Sequence, residues 1–290
     1  MTAARIPMHD FYAHSRPMPL DQADGLRRMF AGRQQRVLAL VANPYVAFSG
    51  VVLDRLAAVL AAPGRQVLVV DASGASPPPH EMAALDLAAG IEVVSPRVGY
   101  LPASGLPMAY VDTRGSAGGF IDAVQRAAPK ADVVLLHADA QDLARIFKRR
   151  AARPLLIGAD HPDSIKHAYA GAKLLAQRCT LLTFDLLLSA APQSPRAASI
   201  AASLAGCAET FLGAVLCHTA LIDPAGDPAA PPDAALSALL AAQLALDDST
   251  GTADITASTA TTAANTRRGA FAPATLTAPA AAQPARPAFR

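Results

Sequence analysis

The chain has 290 residues, 52% of them hydrophobic and 17% charged, with a formal net charge of +2. That length allows one large or two ordinary domains with a buried core, and so small a net charge leaves no strong electrostatic footprint for DNA or RNA. Alanine inflates the hydrophobic fraction and adds helix propensity more than burial, so the positive mean hydropathy does not argue for a membrane protein.

No run approaches the about 18 uncharged apolar residues a membrane span needs; the best, Leu212–Ile222, is short and contains His218. The N-terminus, with Arg5, His9, Asp10 and His14, has no apolar core of a secretory signal, so a cytoplasmic location is expected. Cys179, Cys207 and Cys217 lie in apolar patterns without metal spacing and read as reduced thiols.

Residues 1–20, with Pro7, Pro17 and Pro19, read as an extended segment. Residues 21–35 read as a short helix: Asp21 is a plausible N-cap, Arg27 and Arg28 lie late, Gly32 can close it, and Ala23, Leu26 and Phe30 share one face. A helix of about three turns is marginal in water and must dock on the domain or a partner.

A strand–turn–helix–strand unit follows. Val37–Val41 is a short buried run. Val52, Leu53, Leu56, Ala57 and Leu60 give a helical face that closes at Pro63-Gly64, and Val67–Val70 is a second buried run ending in Asp71. The turn Asn43–Gly50 stands where a nucleotide-binding fold holds phosphate, but lacks the chemistry. Pro44 has no N–H to donate, Tyr45 and Phe48 are bulky, and no lysine is present.

Further on, Glu81–Leu87 is expected to be a short helix and Ile91–Val94 a strand, with 95–119 irregular. Phe120–Ala127, Ala140–Lys148, Ser164–Gln177 (capped near Asp163) and Pro195–Leu212 read as helices. They alternate with strands at Ala131–Leu136, Pro154–Ile157, Leu181–Leu188 and Ala214–Leu221. Near-continuous aliphatic strands separated by helices predict an α/β fold, a doubly wound and mostly parallel sheet with helices on both faces over residues 36–224. Residues 225–290, rich in Ala, Pro and Thr, read as a largely disordered tail dispensable for folding, with one further helix at Ala234–Leu246 that lacks Lys or Arg for anionic lipid.

The stretch DQADGLRRMF, then RVLALV and VLVVDAS, then DSIKHAYAGAKLL at 163–175 and AETFLG at 208–213, resembles the FlhG/FleN flagellar-number regulators of the MinD/ParA-like ATPases. The likeness runs in order from about Asp21 to Ile222. It implies a MinD/ParA-like fold. It also implies a protein partner, an FlhF-like GTPase, contacted through Asp21, Gln22, Gly25, Leu26 and Arg27, and recruitment to the cell pole by that partner.

Position by position, the family's signature lysine falls on Pro44, its second loop lysine on Ser49 and its magnesium-binding Thr on Gly50. Its second metal carboxylate falls on His137 and its base-reading Asn on Ser189. Of that set, Asp71 alone matches a family carboxylate. Losing both lysines and the metal groups removes what would stabilise charge in phosphoryl transfer. The expectation is therefore a pseudo-ATPase without cofactor, metal or catalytic residues, whose loop residues Asn43, Pro44, Ser49 and Gly50 and remnant Asp71 are degenerate. Any homodimer is expected to be independent of nucleotide.

The rival readings are an active nucleotide hydrolase with an unorthodox loop and a scaffolding module of another polar or envelope system. His137-Ala138-Asp139 with Asp142, and His161-Pro162-Asp163, lack metal spacing and read as structural. The basic cluster Arg145, Lys148, Arg149, Arg150 and Arg153 reads as cations suiting a helix C-terminus.

Overall fold

The computed structural model describes residues 35–227 and 230–246; the proposed docking segment, with Asp21, Gln22, Gly25, Leu26 and Arg27, lies outside them. An eight-stranded sheet organises the described chain: β1 (Arg36–Val41), β2 (Val67–Ala72), β3 (Glu92–Ser95), β4 (Val98–Pro102), β5 (Val133–Ala138), β6 (Leu155–Ala159), β7 (Thr183–Ser189) and β8 (Val215–Ile222). Their spatial order is β3-β4-β2-β5-β1-β6-β7-β8. Every neighbouring pair is parallel except β3 with β4, so the expected doubly wound α/β architecture is what the chain adopts.

The helices divide between two faces. On one lie α1 (Ser49–Ala61) and α6 (Ala234–Leu244), which bury Leu56, Leu60, Leu236 and Leu239 against Leu38, Leu40, Leu135 and Leu187. On the other lie α2 (Gly119–Ala127), α3 (Ala140–Ile146), α4 (Pro162–Cys179) and α5 (Ala197–Leu212), packed on alternate positions such as Val70, Leu136 and Leu186. Alternate residues of one strand point to opposite faces, so buried strands need apolar residues at every position. Gly171 lets α4 come close to β1, since a Cβ there would lie 3.1 Å from Val41 Cγ1.

Four expectations are corrected. The span 95–119 contains a full strand, β4, and a 3-10 turn at Leu106–Tyr110; its prolines and glycines hide a strand whose first three residues are only half-buried. The helix expected at Glu81–Leu87 is a pair of 3-10 turns, Glu81–Ala84 and Leu87–Gly90, started by the side chains of His80 and Asp86. The cap of α4 is His161, whose Nδ1 accepts from Asp163 N at 3.3 Å, while Asp163 sits in the first turn.

The boundary at 224 also moves outward. α6 inserts Leu236, Leu239 and Leu240, each at most 3% exposed, into the core, and Arg36 Nη1 donates to Leu246 O at 2.6 Å. Its Gln243 Nε2 reaches the fully buried Asp185 Oδ2 (2.6 Å) and Arg153 O (2.9 Å). Asp185 Oδ1 also accepts from His218 N and faces its Nδ1, both at 3.0 Å. Arg153 Nε lies 2.9 Å from Asp185 Oδ2, close enough for Coulombic pairing, yet too poorly aligned to complete a hydrogen bond.

Candidate functional site

The loop after β1 lies at the carboxyl ends of the central strands, where open α/β sheets bind ligands. Asn43 is 5% exposed, and its amide does structural work: Nδ2 donates to Ile157 O (2.8 Å), Ser164 O (2.8 Å) and Ser164 Oγ (3.0 Å). Its Oδ1 accepts from Tyr45 N at 3.1 Å, an Asx turn. The loop is thereby fastened to β6 and α4.

Val46 is buried beneath the loop, while Tyr45 turns outward and meets the His167 ring edge-on at 5.8 Å. Phe48 is the N-cap of α1 at φ 59°, a left-handed conformation that favours glycine, and no side chain caps the helix. Its own side chain is 70% exposed. Ser49 and Gly50 open the helix, with nothing within 4 Å of a Cβ built on Gly50. Pro44 lines an open depression with Asp139, Asp142 and His167.

Asp71 lies inside β2 rather than at its end, and register pairs it with His137 of β5. His137 Nδ1 and Asp71 Oδ1 are 2.8 Å apart, and the same oxygen accepts from Ser73 Oγ (2.8 Å) and Ser73 N (3.2 Å). Tyr100 OH approaches Oδ2 at 3.4 Å. Burial alone would push the carboxyl's pKa up. The hydrogen bond and charge of His137, with the two Ser73 donors, outweigh it and hold Asp71 below the usual carboxylate range. Burial, and then the negative Asp71, push the Tyr100 phenol up. An ionised carboxylate only accepts, so Nδ1 carries the proton; Nε2 is buried with no partner among the described residues.

A nucleotide with magnesium does not fit these groups. The loop contributes no cation or cradle of glycines, and Asp71, the carboxylate that matches the family pattern, is committed to His137 and Ser73. Among the described residues, no group of three or more His, Cys, Asp or Glu could hold a metal ion. Ser189 ends β7, buried, on a different strand from the Asp71–His137 pair.

Sequence reasoning named Asn43 and Asp71 but missed what holds them: Ser164, Ser73 and Tyr100. It missed the Asp185 cluster altogether. A lone Asp in the aliphatic run TFDLLLS was the available signal, because a carboxylate at a buried strand position demands partners.

No family model matches the chain, and no curated protein sequence matches it. Solved structures resemble it at low identity. A ParA family ATPase from Chlorobium tepidum is 15% identical over 66% of this chain and 85% of that one, with a TM-score of 0.42. The MinD cell division protein of Aquifex aeolicus is 11% identical over 71% and 97%, with a TM-score of 0.47. A cobyrinic acid a,c-diamide synthase from Mycobacterium smegmatis, solved with an ATP analog and magnesium, is 17% identical over 67% and 89%, with a TM-score of 0.46. These likenesses concern architecture and say nothing of chemistry.

Proposed function

We propose that this chain is a catalytically degenerate, MinD/ParA-like regulatory protein that acts through a protein partner. The observation that supports the reading best is the Asp71–His137 pair, 2.8 Å apart and buried at the carboxyl ends of β2 and β5. Phosphoryl transfer needs cations and metal-binding carboxylates at that place. A carboxylate hydrogen-bonded to a histidine and to Ser73, together with a loop fastened by Asn43, is instead a structural joint.

By the sequence resemblance, the role lies in flagellar assembly or number control. The partner is an FlhF-like GTPase, engaged through Asp21, Gln22, Gly25, Leu26 and Arg27, which also brings the protein to the cell pole. Arginine and glutamine can reach phosphate or orient water in a partner's site, and a leucine can anchor in a pocket.

Two measurements test the proposal. Calorimetric titration with a non-hydrolysable ATP analogue and magnesium is expected to give no binding, and micromolar magnesium-dependent affinity would overturn the loss of catalysis. Deleting residues 1–31 is expected to leave the melting temperature nearly unchanged while abolishing GTPase stimulation. Unfolding on deletion, or unchanged stimulation, would remove the docking role.

A further inference from the structure

The basic cluster at the end of α3 does more than complement a helix end. Arg145 of α3, Lys148 just beyond it and Arg178 in the last turn of α4 converge on one cavity of about 200 Å³. Gln141, Leu174 and the αL glycine Gly115 complete its wall. Residues some thirty positions apart in sequence thus present three cations to a single concavity.

The carboxylates nearby do not balance them. Asp142 Oδ1 pairs with Arg145 Nη1 at 2.7 Å, so three cations and one acid leave an excess of positive charge. Asp112, in the turn that contributes Gly115, is occupied by the N–H groups of Arg114 (2.9 Å) and Ser116 (2.8 Å). Lys148 Nζ donates to Arg114 O at 2.5 Å, which fixes the ammonium at the rim while leaving two of its three protons for a ligand. Arg178 makes no ion pair or hydrogen bond with any described residue.

Helix dipoles account for Arg145 and Arg178 separately, each in a last turn. They do not account for Lys148, which lies past the end of α3, or for the meeting of all three around a hollow. Like charges held together repel, and an anion among them removes that cost.

We propose that this cavity binds a small dianion, inorganic phosphate or the phosphomonoester of a small alcohol. Two guanidinium forks and an ammonium match the several acceptor oxygens of a phosphate better than the two of a carboxylate. The volume is below the roughly 300–1,000 Å³ of sites that enclose drug-sized ligands, too small to enclose a whole nucleotide. Leu174, with Ala144 beside it, offers an apolar wall to the organic part of a monoester. The site includes no residue of the loop after β1 and needs no magnesium, because its one acid, Asp142, is already paired with Arg145.

The test is calorimetric titration of the full chain with inorganic phosphate and with glycerol phosphate, without magnesium and at constant ionic strength set with chloride. Saturable binding of either probe is expected, weakened about tenfold or more in Arg178→Ala and again in Lys148→Ala. Arg178 and Lys148 are exposed, so both variants should melt at or slightly above the parent temperature, which keeps a folding defect from imitating the result. Arg196→Ala, at the start of α5, should bind as the parent does. Binding of both probes assigns the site to the phosphate group alone; binding of glycerol phosphate only assigns it to a monoester. Heats indistinguishable from chloride dilution, or equal affinity in Arg178→Ala, would overturn the proposal. Magnesium-dependent binding of an ATP analogue that survives Arg178→Ala would instead count against the loss of catalysis and leave this site untouched.

Discussion

Leu239→Ala, in the helix the sequence had assigned to a dispensable tail, is the sharpest test of where this domain ends. Leu239 is 0% exposed and stands between Leu236 (2%) and Leu240 (3%) on the face shared with Leu38, Leu40 and Leu187. Removing a buried leucine side chain costs its transfer free energy plus that of the residual cavity, together about 3 kcal/mol at a site flanked by rigid strands. For a domain of this size that corresponds to a fall in melting temperature of about 6–12 °C. Truncation after Pro232 removes all three leucines, each contributing about 1.5–3 kcal/mol of burial, and frees Asp185 from Gln243. The sum approaches the whole stability of an ordinary domain, about 5–15 kcal/mol, so the truncated chain should not fold cooperatively. Urea denaturation followed by circular dichroism reads both, with Leu85→Ala, at an 85% exposed position, as the neutral control. A Leu239→Ala variant within 1 kcal/mol of the parent, or a truncated chain with an unshifted midpoint, would refute this and restore the boundary at 224.

Asn43→Ala strips Ile157 O and Ser164 of their donor and should cost about 2–4 kcal/mol, read by the same denaturation; a loss under 1 kcal/mol would mean the loop holds itself. Phe48→Gly exchanges a left-handed phenylalanine for the residue that conformation favours and should stabilise by up to about 1 kcal/mol after the entropic cost of glycine; thermal melting that drops by several degrees would argue against strain there. Asp71 is held below the usual carboxylate range, so its stabilising contribution is full above the unfolded value near pH 3.9 and fades as pH falls through the lower folded value. Urea midpoints between pH 2 and pH 6 should therefore fall more steeply with acid in the parent than in Asp71→Asn, and parallel curves would exclude the pair as a contributor.

Most of the architecture was legible because buried parallel strands leave a local trace: VLALV, VLVV and VVLL are aliphatic at every position and flanked by helical periods. β4 left no such trace, since its register with β2 includes Gly99 and Pro102, residues that locally argue against a strand. α6 was readable as a helix but not as a core element. Ala and Leu run all round it, and only the bare face of β1 and β8 decides which side is buried. The pairing of Asp71 with His137 is a matter of strand order, fixed when β2 and β5 become neighbours, and no spacing within the sequence encodes it.

The placement of α6 also bears on how the chain comes into being. The first strand of the sheet is completed on one face by the last described helix, some two hundred residues later, through Leu236, Leu239 and the contact of Arg36 with Leu246. A ribosome delivers these partners in order, so the part of the face around Leu38, Leu40 and Leu187 that α1 leaves bare stays uncovered until residue 244 and its neighbours emerge. The nascent domain therefore passes through a stage in which all eight described strands and five of the six described α-helices are made and one face of the sheet is half-clothed. Emergence of α6, rather than synthesis of the sheet, is the event that lets this domain close.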